Sequence, residues 1–167
     1  NPFIQFLINP KILDIINSYM RSCSKLIYFD LAETNLMDSG ELPTASQRWH
    51  RDSGMKRLIK IFIYLNDVDE ETGPFKYIRQ SHASGRLGSL FPQRQFGRHG
   101  FYPPEGSVEK QVSKNDIKSC IGRAGTVVFC DTTGLHKGGY SISSSRIMFT
   151  SMFVTEGDFI RPKFKYP

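Results

Sequence analysis

Near the N-terminus, hydrophobic residues recur at the spacing of an α-helix. The members of this pattern are Ile12, Leu13, Ile15, Ile16 and Tyr19. Asn9 is a good N-cap residue, and Pro10 suits the first helical position. The spacing therefore predicts one N-terminal helix, and no other segment shows so clear a helical period.

After Ser24 the pattern changes to short runs that are rich in β-branched and aromatic residues. Glycine, proline and aspartate clusters separate these runs, as turns require. The predicted strands span residues 25–31, 47–52, 58–65, 75–79, 126–130 and 147–154. A short helix over 108–112 is predicted within a segment rich in glycine, proline and charge. Many short strands after a leading helix predict a mostly β sandwich or barrel.

Length and composition limit the class of protein. The 167 residues favour a single domain over 1–167, and 39% hydrophobic content excludes a disordered chain. Three scattered cysteines argue against a disulfide framework or a cysteine zinc site. No apolar run is long enough for a membrane span, so a cytoplasmic protein without a membrane partner is expected. The chain starts at Asn1 rather than Met, as a trimmed chain would.

The net charge of +6 permits two partner classes, nucleic acid or a small anion. The basic residues are dispersed and no nucleic-acid motif accompanies them, so a nucleic-acid partner is not expected. Two local clusters are either solvated surface or an anion-steering rim. They comprise Arg94, Arg98 and His99, and Arg161, Lys163 and Lys165. The sequence does not determine the oligomeric state.

The chemistry-bearing residues begin with His50 and Asp52. In an extended strand, residues two apart point to the same face, so this imidazole and carboxylate lie side by side while Arg51 points away. A metal bound at that edge still needs a third ligand. His136, at the end of an apolar run and before a glycine pair, is the candidate from a distant strand.

Two histidines and one carboxylate form a facial triad, which leaves three coordination positions open on a non-haem Fe(II). Arg146 follows His136 by ten residues and opens a strand whose alternation can point it inward. A buried arginine needs an anionic partner. A carboxylate cosubstrate that binds the metal at its other end would provide one.

In order, these motifs resemble the phytanoyl-CoA dioxygenase-like family of Fe(II)/2-oxoglutarate-dependent oxygenases. The resemblance covers about residues 26–154 and includes the segments 47–52, 60–75, 81–82 and 125–139, followed by Arg146. Gln80 stands where the family often has glycine. The chain is also shorter than many members, which fits an N-terminal truncation.

The resemblance implies a double-stranded β-helix, a jelly-roll or cupin-like barrel with its site at one open end. It implies that His50, Asp52 and His136 bind Fe(II), that Arg146 holds the far carboxylate of 2-oxoglutarate, and that O2 is consumed. Lys60 is expected on the same strand face as Phe62 and Tyr64. If it enters the barrel, it would bind 2-oxoglutarate as a second cation; the alternative is that it reaches solvent. Halogenating relatives lack the carboxylate at Asp52, so hydroxylation is favoured.

Other polar residues have blander interpretations. His82 is expected to form a hydrogen bond in a turn, and His99 to lie on the surface. Trp49 is expected to pack in the core, and Gln47 is a weak pocket candidate. The acidic segment 67–71 lacks the ligand spacing of a calcium loop and is expected to be a solvated turn.

The predicted function is a dioxygenase that hydroxylates a small-molecule substrate, for which the basic surface favours an anion over a neutral metabolite. The sequence does not identify the substrate, and substrate-binding residues are not predicted. The alternative is a non-catalytic jelly-roll module that binds a metal or small molecule and retains the site without turnover.

Overall fold

The computed structural model describes residues 1–38, 41–52, 55, 57–94, 96–97 and 101–157. In chain order, the elements within this part of the chain are α1 (Pro2–Leu7), α2 (Pro10–Met20), β1 (Ser24–Thr34), β2 (Leu58–Tyr64), β3 (Phe75–Ile78), α3 (Ser107–Gln111), β4 (Ile117–Cys120), β5 (Val127–Cys130), β6 (His136–Lys137) and β7 (Arg146–Thr155). Short 3-10 turns occur at Ala45–Gln47 and Lys114–Asp116.

The strands form two antiparallel sheets. One sheet has four strands in the order β1-β7-β2-β5, and the other has three in the order β4-β3-β6. Residues from both sheets meet in one buried cluster around Phe62, Phe75 and Cys130. The architecture confirms the predicted mostly β fold of the jelly-roll class, and two helices stand at the N-terminus where one was predicted.

Strand β2 shows how the four-stranded sheet separates two environments. Its isoleucines Ile59, Ile61 and Ile63 pack with the buried helical residues Leu7, Ile16 and Met20. The alternate residues include Lys60, which forms an ion pair with Asp52, and Phe62, which packs between the sheets. Because side chains alternate along a strand, one face is covered by helices and the other faces the barrel interior.

The predicted helix is α2, and its start is as expected. The Asn9 side chain accepts a hydrogen bond from Lys11 N at 3.0 Å, and Pro10 is the first helical residue. Helix α1 was not predicted; it is capped by Asn1 and is too short to show a helical period. No helix in the described ranges is long and apolar enough to cross a membrane.

Several predicted strands need correction. Residues 47–52 do not form a strand, because the chain leaves a 3-10 turn at Gln47 and then makes only an isolated bridge at His50. Strand β1 continues to Thr34, and β4 and β6 were not predicted. His136 does not end an apolar strand but begins β6, six residues after β5 ends. The predicted helix over 108–112 is α3, shifted by one residue.

The packing of α1 and α2 on the sheet leads to a stability prediction. Phe149 is 2% exposed, and its ring stacks on Phe3 with centroids 4.3 Å apart. We expect Phe149→Ala to lower the free energy of unfolding by about 3–5 kcal/mol, because it leaves a cavity between helix and sheet. Urea denaturation measures this change.

Ile142→Ala is the matched control, because Ile142 is a large apolar residue that is 65% exposed. We expect it to change the free energy of unfolding by less than about 0.5 kcal/mol. Equal effects of the two substitutions would contradict the assignment of Phe149 to the core.

Candidate metal centre

A short backbone pairing brings the two histidines of the triad together. His50 N donates to His136 O, and His136 N donates to His50 O, both at 3.0 Å. Two residues further, Asp52 N donates to Thr132 O at 2.9 Å. Although 47–52 is not a regular strand, this pairing keeps its backbone extended enough for His50 and Asp52 to share a side.

The three predicted ligands form one group at the end of the barrel. One donor atom from each of His50, Asp52 and His136 lies within 4.8 Å of the other two. His136 Nε2 is 3.8 Å from Asp52 Oδ2, and the two imidazole centroids are 4.2 Å apart. The structure thus assembles the predicted triad, and its binding of a metal stays a prediction.

Hydrogen bonds to backbone carbonyls fix the state of both imidazoles. His50 Nδ1 lies 2.8 Å from Arg48 O, and His136 Nδ1 lies 2.9 Å from Gly134 O. A carbonyl oxygen only accepts, so each Nδ1 carries the proton and each Nε2 keeps its lone pair. Burial lowers the pKa of both histidines, which keeps them neutral. Two neutral Nε2 donors therefore face the site.

Asp52 forms an ion pair with Lys60. Lys60 Nζ is 2.7 Å from Asp52 Oδ2, and the two side chains are only 15% and 19% exposed. Burial alone would raise the pKa of Asp52, but Lys60 and His136 outweigh it and hold the pKa below its usual value. Oδ2 has no hydrogen bond of good geometry. The donor set and this buried oxygen fit a divalent cation of the kind bound by two histidines and a carboxylate.

Arg146 is a buried cation that has no acidic partner within the described part of the chain. It is 5% exposed, and its Nη2 donates to Thr34 Oγ1 at 3.1 Å while Nη1 donates to Gly73 O. Its Nε has no hydrogen-bond partner, and no carboxylate in the described ranges pairs with it. Burial lowers its pKa. The inward orientation predicted for Arg146 is confirmed.

Arg146 also lies near the candidate metal ligands. Its Nη2 is 3.6 Å from where a Cβ on Gly138 would stand, and Gly138 is two residues beyond His136. A Cβ at residue 138 would make an ordinary van der Waals contact with the guanidinium. The guanidinium therefore lies beside the backbone two residues from His136, and its Nε has no hydrogen-bond partner.

Arg51, between the two ligands, holds the irregular segment in place. Its guanidinium donates to Thr133 O and Leu90 O at 2.7 Å, to Phe91 O at 3.0 Å, and to Ser81 O. The sequence correctly predicted that Arg51 points away from the ligands. Its acceptors are backbone carbonyls, which carry no residue-specific signal, so this function was not predictable.

The outer side of the same segment contacts helix α3. Trp49 Nε1 donates to Glu109 Oε1 at 2.6 Å, and Lys137 Nζ lies 3.4 Å from the same oxygen. Trp49 is 7% exposed and packs with Ile78 and other buried residues, as predicted. Glu109 thus links the segments that carry His50 and His136, and sequence reasoning missed this contact.

A cavity of about 540 Å³ lies next to the segments that carry His50 and His136, although none of the three triad residues lines it. It lies between the segments that precede His50 and follow His136 on one side and the loop before α3 on the other. Its lining residues are Leu42, Pro43, Gln47, Arg48, Trp49, Pro103, Pro104, Glu105, Gly106, Glu109, Lys137 and Tyr140. Gln47, the weak pocket candidate, is among them.

The remaining polar candidates lie outside the triad. His82 Nδ1 forms a hydrogen bond with Ser84 Oγ at 3.1 Å, in the turn expected for it. Asp69 Oδ1 accepts from Glu71 N and Thr72 N at 2.9 Å and so stabilises its own turn. His99, Arg98, Arg161, Lys163 and Lys165 lie outside the described residues.

The chain that carries this site also matches the sequence profile of a known protein family. The sequence profile of the phytanoyl-CoA dioxygenase (PhyH) family matches residues 30–148, well over half of the chain. The chain belongs to the PhyH family. The matched range includes all three residues of the triad and Arg146. A search of curated protein sequences finds no significant match.

Solved structures share the fold of this PhyH member. EctD from S. alaskensis with bound Fe is 15% identical, with a TM-score of 0.68 over 99% of this chain and 57% of that one. The epimerase SnoN, in complex with Fe3+, alpha ketoglutarate and nogalamycin RO, is 17% identical, with a TM-score of 0.69 over 96% and 61%. HygX from Streptomyces hygroscopicus, with nickel and 2-oxoglutarate bound, is 14% identical, with a TM-score of 0.61 over 93% and 65%.

This chain spans between 57% and 65% of the length of these three proteins. At these identities the likeness establishes the barrel fold of the PhyH member. The identity of its metal and cosubstrate therefore depends on its own residues.

The Lys60–Asp52 pair leads to a prediction for the metal-free protein. Lys60→Met removes the cation and leaves a buried carboxylate without a partner, which costs about 3 kcal/mol. We expect the Tm of the protein in excess EDTA to fall by about 6–12 °C, measured by thermal denaturation.

The pH dependence tests the same pair. The pKa of Asp52 is below its ordinary value of 3.8, so the pair's stabilisation is present above pH 3.8 and is lost as the pH falls through the lowered pKa. The Tm difference between wild type and Lys60→Met should narrow there. Lys60→Met/Asp52→Asn should recover much of the Tm lost at neutral pH. A double variant no more stable than Lys60→Met would contradict the pairing.

Proposed function

We propose that this PhyH member is an Fe(II)- and 2-oxoglutarate-dependent dioxygenase that hydroxylates a small molecule. One observation carries the proposal: a triad of two neutral imidazoles and a carboxylate shares the barrel with a buried arginine that has no acidic partner among the described residues. A metal site alone does not require that arginine. A metal-bound cosubstrate with a distal carboxylate accounts for both.

In this proposal, His50 Nε2, His136 Nε2 and the Asp52 carboxylate hold Fe(II). Three protein ligands leave open positions for a chelating cosubstrate and for O2. The carbonyl partners of each Nδ1 keep the imidazoles in the tautomer that a metal requires and fix their orientation. The presence of Asp52 favours hydroxylation over halogenation.

Arg146 would bind the distal carboxylate of 2-oxoglutarate by a charge-assisted contact. Bound Fe(II) and 2-oxoglutarate would supply oxidation of a substrate C–H bond by O2, coupled to decarboxylation of 2-oxoglutarate to succinate. The protein's own contribution is placement. Thr34 Oγ1 and Gly73 O orient the guanidinium, and the buried aromatic cluster around Phe62 and Phe75 excludes water.

Lys60 was predicted to bind 2-oxoglutarate as a second cation besides Arg146, and that role stays a prediction. Its ammonium lies inside the barrel, as that role requires, and forms an ion pair with Asp52. Both functions are compatible, because an ammonium has several donors.

The first test of the proposal concerns metal binding and turnover. We expect His136→Ala to abolish tight Fe(II) binding in an anaerobic calorimetric titration. We also expect it to abolish succinate formation from 2-oxoglutarate, because two ligands do not complete the triad. His82→Ala is the matched control, since His82 lies in a separate turn.

Activity retained by His136→Ala would refute the assignment of this site. Wild-type protein that binds Fe(II) and 2-oxoglutarate but forms no succinate, across a panel of small metabolites, would favour the alternative of a non-catalytic binding module.

The second test concerns the cosubstrate. Arg146→Lys keeps the charge but not the planar fork of donors, so we expect weaker 2-oxoglutarate binding and unchanged metal binding. Loss of such a contact costs about 2–5 kcal/mol, which is roughly a thirty-fold to several-thousand-fold rise in Kd. Anaerobic titration of the Fe(II)-loaded protein with 2-oxoglutarate measures it. An unchanged Kd would assign the cosubstrate to Lys60 or another cation.

A further inference from the structure

Arg48 places a positive charge on the wall of the cavity of about 540 Å³. Its guanidinium carbon lies 4.6 Å from the centroid of the Tyr102 ring, and that ring meets His50 edge-on with centroids 6.0 Å apart. Arg48 is two residues before His50, and both stand on the same extended segment. The charge is therefore one aromatic ring away from a proposed iron ligand.

Among the described residues, the guanidinium of Arg48 contacts the Tyr102 ring but has no acidic partner. In the described ranges it forms no ion pair, and no side-chain hydrogen bond from it is present. The other cation on the cavity wall, Lys137, is paired with Glu109 at 3.4 Å. Arg48 is half-buried, so its donors are partly removed from water while they face the cavity.

The rest of the cavity offers an apolar wall. Pro103, Pro104 and Tyr140 line it together with Leu42, and its volume of about 540 Å³ suits a small organic molecule. Of the two acidic residues on the wall, Glu109 forms an ion pair with Lys137 and accepts a hydrogen bond from the Trp49 indole, and Glu105 is exposed to water. Arg48 is the cation on the wall that forms no ion pair within the described residues.

We infer that this cavity binds an organic anion, whose carboxylate or phosphate contacts Arg48 and whose apolar part packs on Pro103, Pro104 and Tyr140. Arginine matches both anions, because its planar donors reach two oxygens at once. That this ligand is the substrate rests on the proposed oxygenase function, whereas its binding does not. Arg48 is then the residue that selects anions in this cavity, and it is separate from Arg146, which lies inside the barrel.

The experiment compares probes of the same shape and different charge. The probes are 3-phenylpropionate, its neutral amide 3-phenylpropionamide, and 2-phenylethyl phosphate. Each is titrated into the 167-residue chain saturated with Zn(II) and 2-oxoglutarate, so that the triad and Arg146 are occupied under the proposed function, and again into the metal-free chain. Trp49, the chain's one tryptophan, lines the cavity, and its fluorescence reports binding.

We expect at least one anion to bind roughly tenfold or more tightly than the amide, as loss of a hydrogen bond to a charged group implies. The stronger of the two anions identifies the ligand class. Arg48→Gln should remove the preference, and Arg48→Lys should retain part of it. Arg123→Gln, which removes an exposed arginine outside the cavity lining, should leave it unchanged.

Three results would overturn the inference: no saturable binding of either anion at millimolar concentration, equal binding of the amide, or a preference that survives Arg48→Gln. Circular dichroism confirms that each variant folds. Failure of Zn(II) and 2-oxoglutarate to bind, with the anion preference intact in metal-free protein, would instead count against the proposed function alone.

Discussion

The candidate site depends on the two reciprocal hydrogen bonds between His50 and His136. Residues paired in this way lie directly opposite each other, so their side chains stand on the same side of the backbone. His136 also pairs with Tyr77 of β3, which anchors the arrangement in the three-stranded sheet. This cross-link sets the position of His50 relative to His136, and the contacts of Trp49 and Arg51 hold the rest of the irregular segment.

The barrel interior contains charged side chains, and removing a charge from water costs free energy. Lys60 comes inside because β2 must turn its isoleucines toward the helices, and alternation then turns Lys60 the other way. Its ion pair with Asp52 offsets the cost for both groups. Arg146 has neutral acceptors alone in the described ranges, and an anionic ligand would complete it. The barrel interior therefore fits the proposed binding of an anionic ligand at Arg146.

The sequence predicts those parts of the fold that rest on long local patterns. Helix α2, strand β2 and strand β7 each repeat their period several times, and all three were predicted. Strand β6 has two residues, and α1 has six, so neither carries a usable period. The strand predicted over 47–52 failed because its extended backbone is held by single contacts rather than by a ladder.

The site was more predictable than its surroundings. The residue types at His50, Asp52, His136 and Arg146 carry chemistry at recognisable spacings, which the family resemblance reinforced. The partners that orient them are backbone carbonyls of Arg48 and Gly134, which any sequence would supply. Tyr102 and Glu109 lie more than fifty residues after His50 in the sequence, and only the folded chain brings them next to His50 and Trp49.

Parity along the ligand-bearing segment divides structural from chemical functions. Trp49 and Arg51 point away from the triad, and both are used to fasten the segment, to Glu109 and to the carbonyls of residues 81–91. His50 and Asp52 point the other way and form the triad. Because an isolated bridge offers few ladder hydrogen bonds, the outward residues must supply the rigidity that the inward residues need. Gln47, Arg48 and Trp49 all line the neighbouring cavity, so the segment contributes to both sites: its first residues to the cavity, and His50 and Asp52 to the triad.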